Sequence, residues 1–143
     1  MSARTPARPA AARLAVEKLE PRDVPSVLTP AEVRRAYGFD QLTFPAAGRP
    51  VTADGAGQTI ALVTAYGNPF VRDDLAAFAQ RFGLPGPPRL GIVDQFGNPA
   101  ATVPPPPPEL AAWATEASID LQWAHAVAPA ASLLLVQAYS PSD

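Results

Sequence analysis

The sequence lacks several features that would assign a protein to a class at once. It has no cysteine, so disulfide bonds and thiolate metal sites are excluded. Only 17% of its 143 residues are charged, and the net charge is −2. A nucleic-acid-binding protein would carry a basic face, so we expect no nucleic-acid partner. No apolar stretch approaches the roughly 20 residues of a membrane-spanning helix, so we expect no membrane span.

Apolar residues and proline are plentiful instead. Hydrophobic residues make up 48% of the chain, and 143 residues are enough for one domain with a core. The 19 prolines predict many rigid, extended connections. We place the folded domain at residues 28–143. For residues 1–27 two interpretations remain, a disordered tail and a leader, because Arg13–Ser26 resembles short leaders of some exported bacterial proteins.

The residues after position 27 predict an alternation of helices and strands. Thr29, Pro30 and Glu32 form a capping box with proline at the first helical position, and Gly38 ends this short helix. Further helices are predicted at 71–82 and about 109–126, and a run of five prolines at 104–108 precedes the second of them. Apolar strands are predicted at 58–64, 90–93 and 132–138.

The order strand, helix, strand, helix, strand predicts an α/β fold with a doubly wound parallel sheet and right-handed crossovers. The first strand, Gln58 to Thr64, is a continuous apolar run. Such a run is typical of a strand that is buried on both faces of a parallel sheet.

Two carboxylates stand out in the last predicted helix, which is otherwise almost free of charge. Glu116 and Asp120 are four residues apart and therefore lie on one face, together with Trp113 and Trp123. The single histidine, His125, falls on the opposite side. If the pair is buried among these aromatic neighbours, the two acids share a proton, which predicts activity weighted to acidic pH. The alternative is a pair of solvated acids on an exposed face.

Four stretches of the sequence together resemble the sedolisin family of serine-carboxyl peptidases. They run in the family's order over about residues 28–140: Leu28–Phe39, Gly55–Val63 with Ala65–Pro69, Asp74–Pro85, and Trp113–Pro129 with Leu133–Val136. The resemblance implies a partial subtilisin-like fold, with this chain as the N-terminal part of the catalytic domain, either a fragment or a relic. It also implies cleavage of peptide bonds by a Ser-Glu-Asp triad, an extracellular or cell-envelope location, and a protein or peptide substrate.

The resemblance implies roles for the two acids and also shows what this chain lacks. Glu116 corresponds to the base that takes the serine proton, and Asp120 to the acid that orients it. The family's nucleophile lies in a downstream Gly-Thr-Ser segment that is absent from this sequence. The calcium loop of the family is absent too, so we expect no metal or cofactor in this chain. Where family members often carry an acid at the end of the first strand, this chain has Thr64.

Two functions of other classes are alternatives to a peptidase. A nucleotide-binding module would need a glycine-rich loop after a strand, but Gly55 and Gly57 precede the first strand. A non-catalytic interaction module could bind a partner through an exposed sheet edge or through Pro104–Pro108. Without the serine, we expect this chain alone to hydrolyse nothing.

Overall fold

The computed structural model describes residues 28–46, 48–99 and 103–142. The interpretations of residues 1–27 as a tail or a leader lie outside them. The helices are α1 (Pro30–Ala36), α2 (Val71–Phe82) and α3 (Ala112–Val127), with short 3₁₀ turns at Phe39–Gln41 and Pro108–Leu110. The strands are β1 (Thr43–Ala46), β2 (Arg49–Thr52), β3 (Thr59–Ala65), β4 (Leu90–Asp94) and β5 (Ser132–Ala138).

The capping box predicted for α1 is confirmed. The backbone N–H of Thr29 donates to the Glu32 carboxylate at 2.7 Å, and the backbone N–H of Glu32 donates to the Thr29 hydroxyl at 3.3 Å. The backbone and hydroxyl bonds from Thr29 lower the pKa of Glu32 below its usual value of 4.5. Gly38 follows the helix with a φ of 71°, a left-handed conformation that glycine adopts without strain.

Strands β3, β4 and β5 form a parallel sheet in the order β3-β5-β4. The α/β class and the three-stranded parallel sheet predicted from the sequence are therefore confirmed. The third strand along the chain lies in the middle. In the two common nucleotide-binding folds, the strand that lies in the middle of the first three is the second or the first along the chain, not the third. The strand order found here therefore disfavours the nucleotide-binding interpretation.

Helices α2 and α3 cover the same face of this sheet. Val71 and Leu75 from α2 and Leu121 from α3 pack in one buried cluster with Leu133 and Leu135, which point to the same side of β5. From β3 the chain runs through α2 past β5 to β4 at the other edge of the sheet. From β4 it then runs back through α3 to β5 in the middle. With both helices on one face, these crossovers have opposite hands, so the prediction that both are right-handed is wrong. A left-handed crossover occurs in only about 2% of such units.

The opposite face of the sheet is open among the described residues. It carries Ala61 and Val63 from β3 and the partly exposed Leu134 and Val136 from β5. Val63 is 75% exposed. The prediction that the first strand is buried on both faces is therefore wrong, because an apolar run does not reveal which faces receive a helix.

A second, two-stranded sheet was not predicted. Strands β1 and β2 form an antiparallel hairpin, in which Pro45 faces Pro50. Proline argues against a strand because it removes a backbone donor, and this explains why the sequence pattern did not indicate the hairpin.

Candidate active site

Helix α3 carries the two candidate catalytic acids and is held at both ends. The chain enters it through an extended segment, in which Pro107 has φ −63° and ψ 158°, and then a 3₁₀ turn. At the far end Arg34 of α1 donates hydrogen bonds to the carbonyl oxygens of Ala126 and Val127. A cation suits this position because the C-terminus of a helix is partially negative.

Glu116 and Asp120 both lie on the exposed side of α3. Trp113 and Trp123, which share their stripe, are only half-buried. The buried side of the helix is formed by other residues: Ala117, Ser118, Leu121, His125 and Ala126. The prediction of a buried pair is therefore wrong, because the flanking tryptophans do not mark the core-facing side of the helix.

Exposure changes the chemistry that the pair can perform in this chain. Sharing a proton requires a low dielectric, since water screens the repulsion between two carboxylates. The predicted weighting of activity to acidic pH rested on burial and has no basis in the chain as it stands. The predicted arrangement on one face does hold, and the carboxylates of Glu116 and Asp120 face outward together.

His125 lies on the opposite side of α3 from the pair, as the helical spacing predicts, and that side faces the core. It is fully buried, and its Nε2 lies 2.6 Å from the carbonyl oxygen of Pro85, after the end of α2. Among the described residues, its Nδ1 has no hydrogen-bond partner. His125 therefore fixes the contact between the two helices and does not join the carboxylates.

A polar network that the sequence did not predict ties α3 to α2. Ser118 Oγ donates to Asp74 Oδ2 at 2.6 Å and accepts a bond from Asn68 Nδ2 at 2.8 Å. Asn68 Nδ2 also donates to the carbonyl oxygen of Ala114 at 2.9 Å. Ser118 thus points inward, away from Asp120, as the angular count predicts. No sequence signal could pair Asp74 with Ser118, since 44 residues separate them.

At the carboxyl ends of the strands, polar side chains are buried beneath the helices. Thr64 is 4% exposed and Gln137, its register partner on β5, is 2% exposed. Among the described residues neither Thr64 Oγ1 nor Gln137 Nε2 has a hydrogen-bond partner. Thr64 stands where the sedolisin resemblance would place an acid. Both side chains therefore end in a buried polar atom that no described residue satisfies.

Asp94 lies beside Gln137 in the sheet and is buried. Burial raises the pKa of Asp94, but hydrogen bonds from Asn98, Phe96 and Tyr139 outweigh it and hold the pKa below its usual value. Two of these bonds come from the backbone N–H groups of Phe96 and Asn98, at 2.9 and 2.8 Å. Asp94 therefore stabilises the turn after β4.

Backbone hydrogen bonds and a close backbone contact hold the loop after β3. Tyr66 has a φ of 63°, which is uncommon for a residue other than glycine, and its N–H donates to the carbonyl oxygen of Ala138 at 2.7 Å. The N–H of Gly67 donates to Pro104 at 2.8 Å. A side chain at Gly67 would collide with the carbonyl of Val103. The beginning of the proline run is thus packed against this loop.

Within the described ranges, no cluster of three or more His, Cys, Asp or Glu side chains is placed to hold a metal ion. No described helix has the length and apolar character needed to cross a bilayer. Comparison of the chain with protein-family models, curated proteins and solved structures finds no match. The likeness to sedolisins therefore rests on the sequence motifs alone.

Proposed function

We propose that this chain supplies the Glu-Asp half of the active site of a serine-type endopeptidase. Glu116 acts as the base that takes a proton from a serine and returns it to the leaving amine, and Asp120 orients Glu116. The observation that carries the proposal is the position of both carboxylates on the outer side of α3. There a serine on another segment can reach them.

The proposal also requires that the pair be covered. A segment that brings the serine to α3 would exclude water from Glu116 and Asp120. Two carboxylates close together in a low dielectric cannot both ionise cheaply, so covering them favours a shared proton. We propose that the acidic working range and the calcium site implied by the family belong to such a completed domain, which would act on proteins or peptides outside the cytoplasm.

The serines of this chain do not supply the nucleophile. They are few and scattered: Ser2, Ser26, Ser118, Ser132, Ser140 and Ser142. Ser118 is the nearest in sequence to the pair, but its hydroxyl is directed toward Asp74 on the core side of the helix. We therefore propose that the polypeptide hydrolyses nothing by itself.

The proposal is tested by reading the coding DNA beyond codon 143 and expressing any in-frame continuation that contains a Gly-Thr-Ser segment. In that longer polypeptide, Glu116→Gln should lower the rate of peptide hydrolysis by about 10²–10⁴-fold. Glu109→Gln, a matched change at an exposed acid just before α3, should leave the rate unchanged. Equal rates for Glu116→Gln and the parent polypeptide would overturn the assignment of the base.

A non-catalytic interaction module is the second candidate, and the open face of the parallel sheet favours it. Parallel sheets are normally covered on both faces, yet Val63 and Ala61 are exposed here. A stop codon directly after codon 143, together with good expression of the folded chain, would support this function or a relic of a peptidase gene over a working peptidase.

A further inference from the structure

A cleft lies between α2 and α3. Its volume is about 400 Å³. Residues of both helices and of the loop that precedes α2 line it. They include Phe70, Asp74, Thr115, Ser118 and Ile119. We call it the α2–α3 cleft.

Two exposed apolar side chains border the α2–α3 cleft, whose other lining residues are mostly polar. Phe70 stands at the start of α2 with 66% of its surface accessible, and Ile119 stands on α3 with 47% accessible. Neither side chain contributes to the buried cluster of the core. Two large apolar side chains on either side of a cleft suit the aliphatic stem of a ligand.

The floor of the cleft carries a negative charge. Asp74 is half-buried, and its Oδ2 accepts the bond from Ser118. Its other oxygen, Oδ1, accepts no hydrogen bond from any described residue, and no basic residue lines the cleft. Asp73, which precedes Asp74 in the first turn of α2, adds a second negative charge to this end of the helix. A positively charged ligand group would therefore complement Asp74 on this floor.

The cleft lies on a different side of α3 from the catalytic pair. At about 100° per residue, Ser118, which lines the cleft, points about 160° away from both Glu116 and Asp120. A ligand held in the cleft therefore lies on the α2 side of the helix, and its binding is separate from any chemistry at the pair.

We propose that the α2–α3 cleft binds the side chain of a lysine or arginine in a peptide. The aliphatic stem packs between Phe70 and Ile119, the cationic group binds Asp74 Oδ1, and Phe70 offers its ring face to the cation. The proposal is a statement about binding, and it does not depend on catalysis or on the proposed peptidase function.

The test measures binding without turnover. The ¹⁵N-labelled chain is titrated with N-acetyl-Gly-Lys-Gly-amide and with the same peptide carrying norleucine, which keeps the stem and loses the charge. Saturable amide shifts are expected at Phe70, Thr115 and Ile119 with the lysine peptide. Norleucine should bind at least about tenfold more weakly, the factor that the loss of one charged hydrogen bond produces.

Two matched variants sharpen the test. Asp74→Asn should weaken lysine-peptide binding at least about tenfold, whereas Asp73→Asn, the same change on the adjacent exposed residue, should alter it by less than about twofold. If Asp74→Asn does not fold, Ile119→Ser takes its place and should weaken binding of both peptides. Equal effects of Asp73→Asn and Asp74→Asn, equal binding of the two peptides, or no shifts at the cleft would each overturn the proposal. Hydrolysis plays no part in these outcomes, so they stand whether or not Glu116 is a base.

Discussion

The two sides of helix α3 have opposite environments. On the inner side Leu121 and His125 are fully buried, and Ser118 makes hydrogen bonds to Asp74 and Asn68. On the outer side the Glu116 and Asp120 carboxylates are exposed. The inner side thus joins α3 to α2 and the sheet, whereas the outer side makes little contribution to the fold.

This difference bears directly on function. Like charges four residues apart destabilise a helix by a few tenths of a kcal/mol, about 0.2–0.5. The pair therefore carries a small cost that no contact within the described residues offsets. Packing and hydrogen bonding account for the inner side, but they give no reason for the pair on the outer side.

The largest expected effect on stability comes from the inner side. Leu121→Ala should lower the free energy of unfolding by about 2–5 kcal/mol, because it leaves a cavity in the cluster with Leu133 and Leu135. Ile119→Ala, two residues earlier on a half-exposed position, should cost less than about 1 kcal/mol. Urea unfolding measures both values, and equal costs would contradict the assignment of the two sides.

A smaller loss is expected at the polar contact between the helices. Ser118→Ala removes the bonds to Asp74 and Asn68 and leaves their polar groups partly unsatisfied, so it should cost about 1–3 kcal/mol. Thr115→Ala, on the exposed side one turn earlier, should change stability by no more than about 0.5 kcal/mol. The network has no structural role if the two variants unfold at the same urea concentration.

Lowering the pH should remove the contribution of the Glu32 carboxylate to stability. Since the pKa of Glu32 is lowered in the folded state, its contribution to stability is present above its usual pKa of 4.5 and is lost as the pH falls through the folded value. Glu32→Ala should therefore destabilise the chain at pH 7, and the difference should shrink below pH 4.5. A difference that stays constant between pH 7 and pH 2.5 would show that the capping box does not depend on the charge.

The smallest effect is expected on the outer side. Glu116→Gln and Asp120→Asn should leave the free energy of unfolding unchanged or raise it by a few tenths of a kcal/mol, about 0.2–0.5, since each removes one of two like charges. Thermal or urea unfolding of the two variants measures this. A loss above about 1 kcal/mol for either variant would mean that the outer side also holds the fold together.

Local signals in the sequence predicted much of the fold. Helix α2 begins and ends where its first-turn acids and Gly83 place it, and β5 spans the predicted Ser132 to Ala138. The capping box at Thr29 and Glu32 was likewise readable from four residues. Such features depend on neighbours in the chain, and therefore on the sequence alone.

Features that depend on distant contacts were not predictable. The exposure of Glu116 and Val63 follows from where α2 and α3 pack, and both helices lie on one face of the sheet. The bond between Asp74 and Ser118 joins two helices whose relative position no local pattern encodes. The tryptophans near Glu116 suggested burial, but a half-buried tryptophan can border an exposed stripe.

Proteolysis by the purified 143-residue chain is the most direct test of the central claim that it holds the two acids and no nucleophile. The chain is incubated with a denatured protein at acidic pH, beside its Glu116→Ala variant, and the products are separated by mass. The account predicts no cleavage by either polypeptide. Cleavage by the parent chain that Glu116→Ala abolishes would contradict it, because a complete active site would then lie within these residues.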